Sequence, residues 1–377
     1  AAKQIARRFA RETTLMFRIG VTIALILLGF FAYQQNRINT LLRHQIAAGT
    51  AQLESFSRVL AQVRKETLTS NDLSVLRHEL TGQMTTAAER LSQLEKRSTA
   101  IARVIANSRS SILFLQGAYG FRESATGRML RHVAGPDGKL LLLPNGFPLL
   151  SLMGKGPVAQ REFSGTGFAV GDRGIIVTSR HIGQPWLFDI DVAAMAGRDL
   201  KPVQTRFIAY FEGAAEPKEV ALVRVSMTAD VAILRLEGPS RRNSGLELAP
   251  KLPELGQEVI LMGYPTGIRS MVAQAGPEFV KKLQQDNVTN NWKVAARLAA
   301  AGRIVPLASR GIVGGISKET IVYDAETTHG GSGGPVLDIN GAVVAVNSAI
   351  LPEYGGSNLG VPVSELRRLI ADVEATN

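Results

Sequence analysis

Two pairs of glycines enclose a serine at residues 330–334, Gly-Gly-Ser-Gly-Gly. Glycines permit a tight loop around Ser332 and leave backbone N–H groups free to face a developing negative charge. His181 ends a β-rich run, where it can serve as general base for a serine hydroxyl. Asp230 lies between the two in the chain and leads into an alternating apolar run. These residue types predict nucleophilic catalysis through an acyl-enzyme, in the chain order His, Asp, Ser.

The order of the three residues discriminates between folds. The G-x-S-x-G elbow of α/β-hydrolases also fits the glycine loop, but its histidine follows the serine. None of the five histidines follows Ser332; they are His44, His78, His132, His181 and His329. A subtilisin-like order needs an aspartate before the histidine, and neither Asp137 nor Asp172 lies in a recognisable motif. Only the order of chymotrypsin-like proteases keeps all three residues in suitable contexts.

Short sequence blocks on both sides of these residues carry a family resemblance. They are residues 164–168 (SGTGF), 174–181 (GIIVTSRH), 324–325 (DA), 341–350 (GAVVAVNSAI) and 356–363 (GSNLGVPV). Together they resemble the Deg/HtrA-type branch of trypsin-like serine proteases, over roughly residues 106–375. The resemblance implies a mostly β, chymotrypsin-like double antiparallel β-barrel, with the active site in the cleft between the barrels.

The resemblance also implies a role for each residue. His181 and Asp230 would come from the first barrel and Ser332 from the second, with Asp230 orienting the imidazole. The backbone N–H groups of Gly330 and Ser332 would form the oxyanion hole. His329 is expected to line the cleft rather than act as the base.

A specificity pocket is implied next to the serine. Glu326, six residues before Ser332, resembles the position at the base of that pocket, and Asn347 and Gly360 resemble its walls. A carboxylate there favours a basic substrate side chain, whereas Deg/HtrA-like pockets generally take small apolar residues. Both alternatives stay open at this point.

Three features depart from the family pattern. Gly331 stands where these proteases usually have asparagine or aspartate, so we expect a more mobile oxyanion loop. The sequence ends at Asn377 without a PDZ domain, and substrate capture is therefore expected to come from elsewhere. Residues 276–306 form an insertion with helical periodicity, beginning at Pro277. This insertion is either a lid or docking element, or inert surface decoration.

The region 107–377 is predicted to be the protease domain. Its short apolar runs, separated by Gly, Pro and Asp, predict barrels rather than βαβ units. The predicted strands are 112–115, 167–170, 175–178, 220–225, 231–236, 259–262, 321–323, 336–337 and 343–347. A closing helix is predicted from Ser364.

The N-terminus is predicted to be a membrane anchor. Residues 13–33 are apolar except for Arg18, and about 20 residues suffice to span a bilayer. The predicted location is a bacterial inner membrane that the chain crosses once. The basic segment 1–12 predicts that the N-terminus lies in the cytoplasm and the protease domain in the periplasm. A cleavable signal peptide is the competing interpretation, and a mitochondrial targeting segment with an inner-membrane location is a third.

A helical coiled-coil stalk is predicted over residues 34–106. From Leu80 to Ile105 apolar residues recur at alternating spacings of four and three, which is typical of a heptad seam. The stalk is therefore expected to form a homo-oligomer, and a trimer suits the family resemblance. A helical hairpin packed against the protease is the alternative.

Composition narrows the functions further. The chain has no cysteine, and its net charge of +11 lies mostly in the N-terminal third. Residues 111–377 hold 27 basic and 25 acidic side chains, a net +2, so nucleic-acid binding by the catalytic part is not expected. No cofactor and no metal are expected. The sequence thus predicts a membrane-anchored serine endopeptidase of envelope proteins, in quality control or processing. The alternative is a catalytically silent or latent scaffold for a membrane complex.

Overall fold

The structure is a computed structural model that describes residues 70–189, 199–237, 245–265, 267–327, 330–351 and 357–376. The predicted anchor (13–33) and the first half of the predicted stalk (34–69) lie outside these residues. Among the described residues, no helix is both long and apolar enough to cross a membrane. The chain divides into two units, 1–92 and 93–377, and every strand that the structure describes lies in the second.

A single long helix, α1 (Ser70–Ser108), covers the predicted heptad seam. Met84, at a seam position in the first unit, is 72% exposed. At the other end of the helix, in the second unit, Val104 is buried and Ile101 and Ile105 pack against the barrel core. The last turns of the predicted stalk are therefore part of the barrel core, which agrees with the alternative of helical packing for this part of the segment.

Two closed six-stranded antiparallel barrels follow α1, which confirms the expected mostly β, chymotrypsin-like fold. The strands of the first barrel, in spatial order, are β1 (Ile112–Glu123), β4 (Gln160–Val170), β5 (Ile175–Thr178), β8 (Ala232–Leu236), β7 (Lys218–Val225) and β6 (Leu200–Phe211). Barrel closure comes from β1, which pairs with β4 on one side and β6 on the other. Its first ten residues are all buried.

The second barrel has the same number of strands. In spatial order they are β10 (Leu307–Ile316), β11 (Ile321–Tyr323), β14 (Ser357–Pro362), β13 (Val343–Leu351), β12 (Pro335–Leu337) and β9 (Glu258–Gly263). Two short strands, β2 (Arg131–His132) and β3 (Leu150–Ser151), pair with each other outside the barrels. A closing helix, α6 (Val363–Thr376), buries Leu366, Leu369 and Val373 and confirms the predicted C-terminal helix.

The insertion between β9 and β10 consists of three helices: α3 (Ile268–Gln274), α4 (Pro277–Gln285) and α5 (Asn291–Ala300). The side chain of Asn290 caps α5 by accepting from the backbone N–H groups of Trp292 and Lys293. Val294, Ala295 and Leu298 of this helix are buried in the largest hydrophobic cluster.

The same helix reaches the first barrel, although it is inserted in the second. Asn291 Nδ2 donates to Glu162 Oε2 of β4 at 2.9 Å, and the Arg206 guanidinium of β6 lies 4.5 Å from the centre of the Trp292 ring. Helix α5 therefore packs against both barrels, and the role of the insertion as a lid or docking element stays a prediction.

Candidate active site

The two barrels are joined by hydrogen bonds where the predicted catalytic residues lie. On the first barrel, Thr166 of β4 donates its N–H to Ser332 O at 3.0 Å and its hydroxyl to Gly330 O at 2.7 Å. Ser179, directly after β5, donates its hydroxyl to Asn347 O of the second barrel at 3.1 Å. The serine loop is thus held by the barrel that carries the histidine.

His181 and Asp230 are paired within the first barrel. The histidine lies on a short helix, α2 (Arg180–Gly183), after β5, and the aspartate lies in the loop before β8. Asp230 Oδ2 is 2.8 Å from His181 Nδ1, and Oδ1 accepts the His181 backbone N–H at 3.0 Å. Ser226 Oγ shapes this loop by accepting the N–H groups of Thr228 and Ala229. A carboxylate at Nδ1 leaves Nε2 of the ring free to exchange protons on the cleft side.

A third group bonds the aspartate. Ser348 Oγ of β13, in the second barrel, donates to Asp230 Oδ2 at 2.5 Å. Burial raises the pKa of Asp230, but the hydrogen bonds and charge of His181 together with the Ser348 hydroxyl outweigh it and hold the pKa below its usual value. Asp230 is therefore a stable anion at neutral pH and can orient the imidazole and stabilise its charged form.

The loop around Ser332 depends on its glycines. Gly330 and Gly333 have φ of 99° and 84°, the left-handed region that glycine enters without strain. A Cβ at Gly333 would also overlap the Thr166 carbonyl oxygen and the Thr178 hydroxyl. The positive φ of Gly333 and the lack of space for a Cβ therefore both require glycine after the serine.

The N–H groups of Gly330 and Ser332 donate to no protein acceptor within the described part of the chain. They are available to an anionic oxygen from substrate. Ser332 Oγ donates to Ser348 O at 3.3 Å, and no hydrogen bond links it to the His181 ring in the described residues. The serine hydroxyl must therefore rotate before the imidazole can accept its proton. His329 lies outside the described residues.

The residues predicted for the specificity pocket are not brought together. Glu326 lines a surface cavity of about 820 Å³ with Ser309 and Gly331, and its N–H donates to Ser309 Oγ at 2.8 Å. Asn347 and Gly360 pair across β13 and β14 and are buried in the barrel wall. Neither of them lines the cavity of Glu326.

Tyr323 occupies the space beside Asn347 and Gly360. Its hydroxyl donates to Asn347 Oδ1 at 2.5 Å, and burial raises the pKa of Tyr323 well above its usual value. A Cβ at Gly360 would lie 3.2 Å from the Tyr323 ring and 2.9 Å from Ala345 Cβ. The Asn347 side chain is thus buried against Tyr323. The Asn347 carbonyl oxygen accepts the Gly333 N–H at 2.7 Å and so helps to hold the serine loop.

Sequence reasoning missed the roles of Ser348 and Thr166. Ser348 lies one residue beyond the predicted strand 343–347, and nothing in the sequence indicates that its hydroxyl meets an aspartate 118 positions away. Thr166 lies within the Gly-Thr-Gly motif, which was noted only as part of the family resemblance. No group of three or more His, Cys, Asp or Glu in the described ranges is arranged to hold a metal ion.

Comparisons with known proteins agree with this geometry. Residues 165–346 match the family model of the trypsin-like peptidase domain. The chain is 24% identical over 218 residues to the probable periplasmic serine endoprotease DegP-like of Brucella suis, covering 57% of this chain and 33% of the relative. It is 25% identical over 229 residues to serine protease HTR4 of Rattus norvegicus, covering 59% and 37%.

The chain therefore spans about a third of the length of the curated relatives it matches. Among solved structures, the active form of the Rv3671c protease from M. tuberculosis is 16% identical with a TM-score of 0.41, covering 72% of this chain and 83% of that one. The chain is thus similar to trypsin-like serine proteases of the Deg/HtrA type, and the matched residues 165–346 extend from the first barrel into the second.

Proposed function

We propose that the protein is a serine endopeptidase that uses Ser332 as nucleophile, His181 as general base and Asp230 as the orienting carboxylate. The observation that carries the proposal is the double hydrogen bond from His181 to Asp230, made beside a serine loop that both barrels hold. Chain order, fold and the trypsin-like family match all support the same assignment.

The reaction follows from these positions. Ser332 Oγ attacks the peptide carbonyl carbon as His181 Nε2 accepts its proton, and the carbonyl oxygen becomes an oxyanion. The free N–H groups of Gly330 and Ser332 bind this oxyanion, and one such donor contributes roughly 10²–10³ in rate. His181 then protonates the leaving amine, which departs and leaves an acyl-enzyme. Water repeats the sequence, with the carboxylic acid as product and the Ser332 hydroxyl restored.

Substrates and location are part of the proposal. The substrates are proteins or peptides of the cell envelope, cleaved in quality control or processing. The apolar segment 13–33 anchors the chain in the bacterial inner membrane, and the heptad seam of α1 joins copies into a homo-oligomer, with a trimer favoured. The periplasmic description of the Brucella relative supports the location. Substrate profiling tests which side chain the protein prefers next to the cleaved bond. The carboxylate of Glu326, which lines a surface cavity, favours a basic side chain.

A second function is favoured by one specific observation. Ser332 Oγ bonds the Ser348 carbonyl oxygen rather than the imidazole. A protein fixed in this arrangement is latent, or is a protease-like scaffold that organises a membrane complex. The two functions differ in whether the serine hydroxyl becomes nucleophilic in solution.

Labelling with a fluorophosphonate probe separates the two. The detergent-solubilised parent chain is expected to form a covalent adduct, and the Ser332→Ala and His181→Ala variants are not. Circular dichroism establishes that each variant is folded. A folded parent that stays unlabelled would refute the endopeptidase proposal and favour the scaffold.

A further inference from the structure

An apolar projection extends from the first barrel between β1 and β4. We define the finger as residues 128–155, which include β2 and β3. Six of its large apolar side chains are exposed: Leu140, Leu141, Leu142, Leu143, Phe147 and Met153. Phe147 is 68% exposed and Leu142 is 61% exposed. So many large apolar groups exposed within 14 residues are typical of an interaction surface and not of ordinary scattered exposure.

The finger is an ordered element whose base is fixed. Leu150 and Leu152 pack against a buried cluster of Tyr119, Phe121 and Leu200, to which the finger residue Leu130 also belongs. Backbone hydrogen bonds then continue toward the tip, from Leu141 N to Val133 O at 2.9 Å and from Leu143 N to Phe147 O at 2.7 Å. The apolar side chains are therefore carried on a hydrogen-bonded element and remain exposed among the residues that the structure describes.

Two tight turns make the tip of this hairpin. Gly138 and Gly146 have φ of 77° and 84°, and each follows an Asp or Asn whose side-chain oxygen accepts a backbone N–H two residues on. Phe147 follows the second turn. Its ring is therefore presented at a fixed loop end.

The charge of the finger selects the partner. Residues 128–155 contain four basic side chains and one acidic side chain, a net +3: Arg128, Arg131, Lys139, Lys155 and Asp137. Asp137 is already paired with Lys139, at 3.7 Å. Two such surfaces on copies of this chain would repel each other, whereas an anionic surface complements them. Apolar side chains at a hairpin end with basic neighbours match the interface of an anionic bilayer, where the apolar groups enter the headgroup region and the basic groups meet lipid phosphates.

We infer that the finger is a docking surface for an anionic lipid bilayer, with Phe147 and the leucines 140–143 entering the headgroup region. This contact is independent of the proposed anchor at 13–33 and of the proposed peptidase chemistry. It would hold the first barrel against the membrane surface.

The absence of cysteine makes a site-specific test possible. A Phe147→Cys variant of the full chain carries a single thiol for an environment-sensitive fluorophore. The labelled protein is reconstituted into phosphatidylcholine vesicles with or without phosphatidylglycerol, and some vesicles also contain a nitroxide lipid. The matched control is Leu255→Cys, because Leu255 is also 68% exposed but lies outside the finger. Both proteins must retain the circular dichroism of the parent.

In anionic vesicles, the label at residue 147 is expected to shift to shorter wavelength and to be quenched by the nitroxide lipid, and the label at 255 is not. Adding Lys139→Gln and Lys155→Gln should weaken this docking by roughly tenfold or more, since each basic side chain near an anionic surface contributes about fivefold. An unquenched label at 147, or equal quenching in neutral vesicles, would overturn the inference. A wavelength shift that grows with protein concentration without lipid would also overturn it, by identifying a second copy of the chain as the occupant.

Discussion

Asp230 accepts three hydrogen bonds, two from His181 and one from Ser348. The donors come from both barrels, so all three hydrogen bonds form only when His181 and β13 are correctly placed relative to each other. A hydrogen bond to a charged group contributes roughly 1.5–3 kcal/mol. Two predictions belong to this residue.

The first prediction concerns Ser348. Replacing Ser348 by Ala removes one donor from the Asp230 carboxylate and should lower kcat for a peptide substrate by about tenfold, because the imidazole is then less firmly oriented. The pKa of the Asp230 carboxyl should rise with it, since a donor that stabilises the anion is lost. Steady-state kinetics measures kcat.

Ser348→Thr keeps the hydroxyl and is the matched control, which should retain most of the activity. Equal kcat values for the parent and Ser348→Ala would contradict a positioning role for this hydroxyl.

The second prediction concerns pH. The pKa of Asp230 is depressed in the folded state, so its charged form contributes stability that is present above the unfolded pKa of about 4 and is lost as pH falls through the lower folded pKa. Asp230→Asn lacks this contribution. The difference in free energy of unfolding between the parent and Asp230→Asn should be constant above about pH 5 and shrink below about pH 4.

Urea unfolding at a series of pH values measures that difference. A difference independent of pH between about 2.5 and 6 would show that Asp230 gains no net stabilisation as an anion.

At the scale of elements, the structure of the site depends on the glycines of the serine loop. The loop requires glycine at 333 for two separate reasons, a positive φ and the absence of space. Gly213 has a φ of 71° with open space around it. An alanine at 213 therefore introduces backbone strain alone, whereas an alanine at 333 introduces both strain and steric overlap.

Gly333→Ala should displace the loop and remove the oxyanion donors, with a loss of roughly 10² or more in kcat. Gly213→Ala should lose only about 1 kcal/mol of stability and keep its activity. Kinetics and thermal unfolding of the two variants make the comparison. Full activity in Gly333→Ala would mean that the loop is not built as described.

The insertion helix α5 offers the next prediction. Leu298 is fully buried in the main hydrophobic cluster, and Leu307, just beyond the insertion, is 41% exposed. Leu298→Ala should destabilise the protein by about 2–5 kcal/mol through lost burial and a cavity, and Leu307→Ala by much less. Denaturant unfolding tests this. Similar losses for both variants would argue that α5 does not contribute to the core.

At the scale of the whole molecule, the proposed self-association through the heptad seam of α1 can be tested at its exposed end. Met84 lies on the seam and is 72% exposed in a single copy, and its neighbour Thr85 is exposed but lies off the seam. Met84→Glu places a charge where copies would meet and should reduce the sedimenting mass of the detergent-solubilised chain, whereas Thr85→Glu should leave it unchanged. An unchanged mass for Met84→Glu would remove the seam as the site of assembly.

Strand prediction succeeded where apolar runs were uninterrupted. Strands β5 and β11 have the predicted bounds, 175–178 and 321–323. Two long strands, β6 and β10, are not predicted, because Pro202 and two charged residues interrupt the first and three glycines interrupt the second. Both are secured by pairing with neighbours distant in the chain, β1 and β9, which local patterns do not reveal.

The sequence by itself determined the identity and chain order of His181, Asp230 and Ser332, and it predicted the double barrel. Glycine spacing and apolar alternation are local signals, and they need no knowledge of distant residues. Only the tertiary structure decided that Ser348 bonds Asp230, that Glu326 lines a surface cavity which neither Asn347 nor Gly360 lines, and that α5 contacts both barrels. These contacts link residues far apart in sequence, and the packing of two closed barrels against each other fixes them.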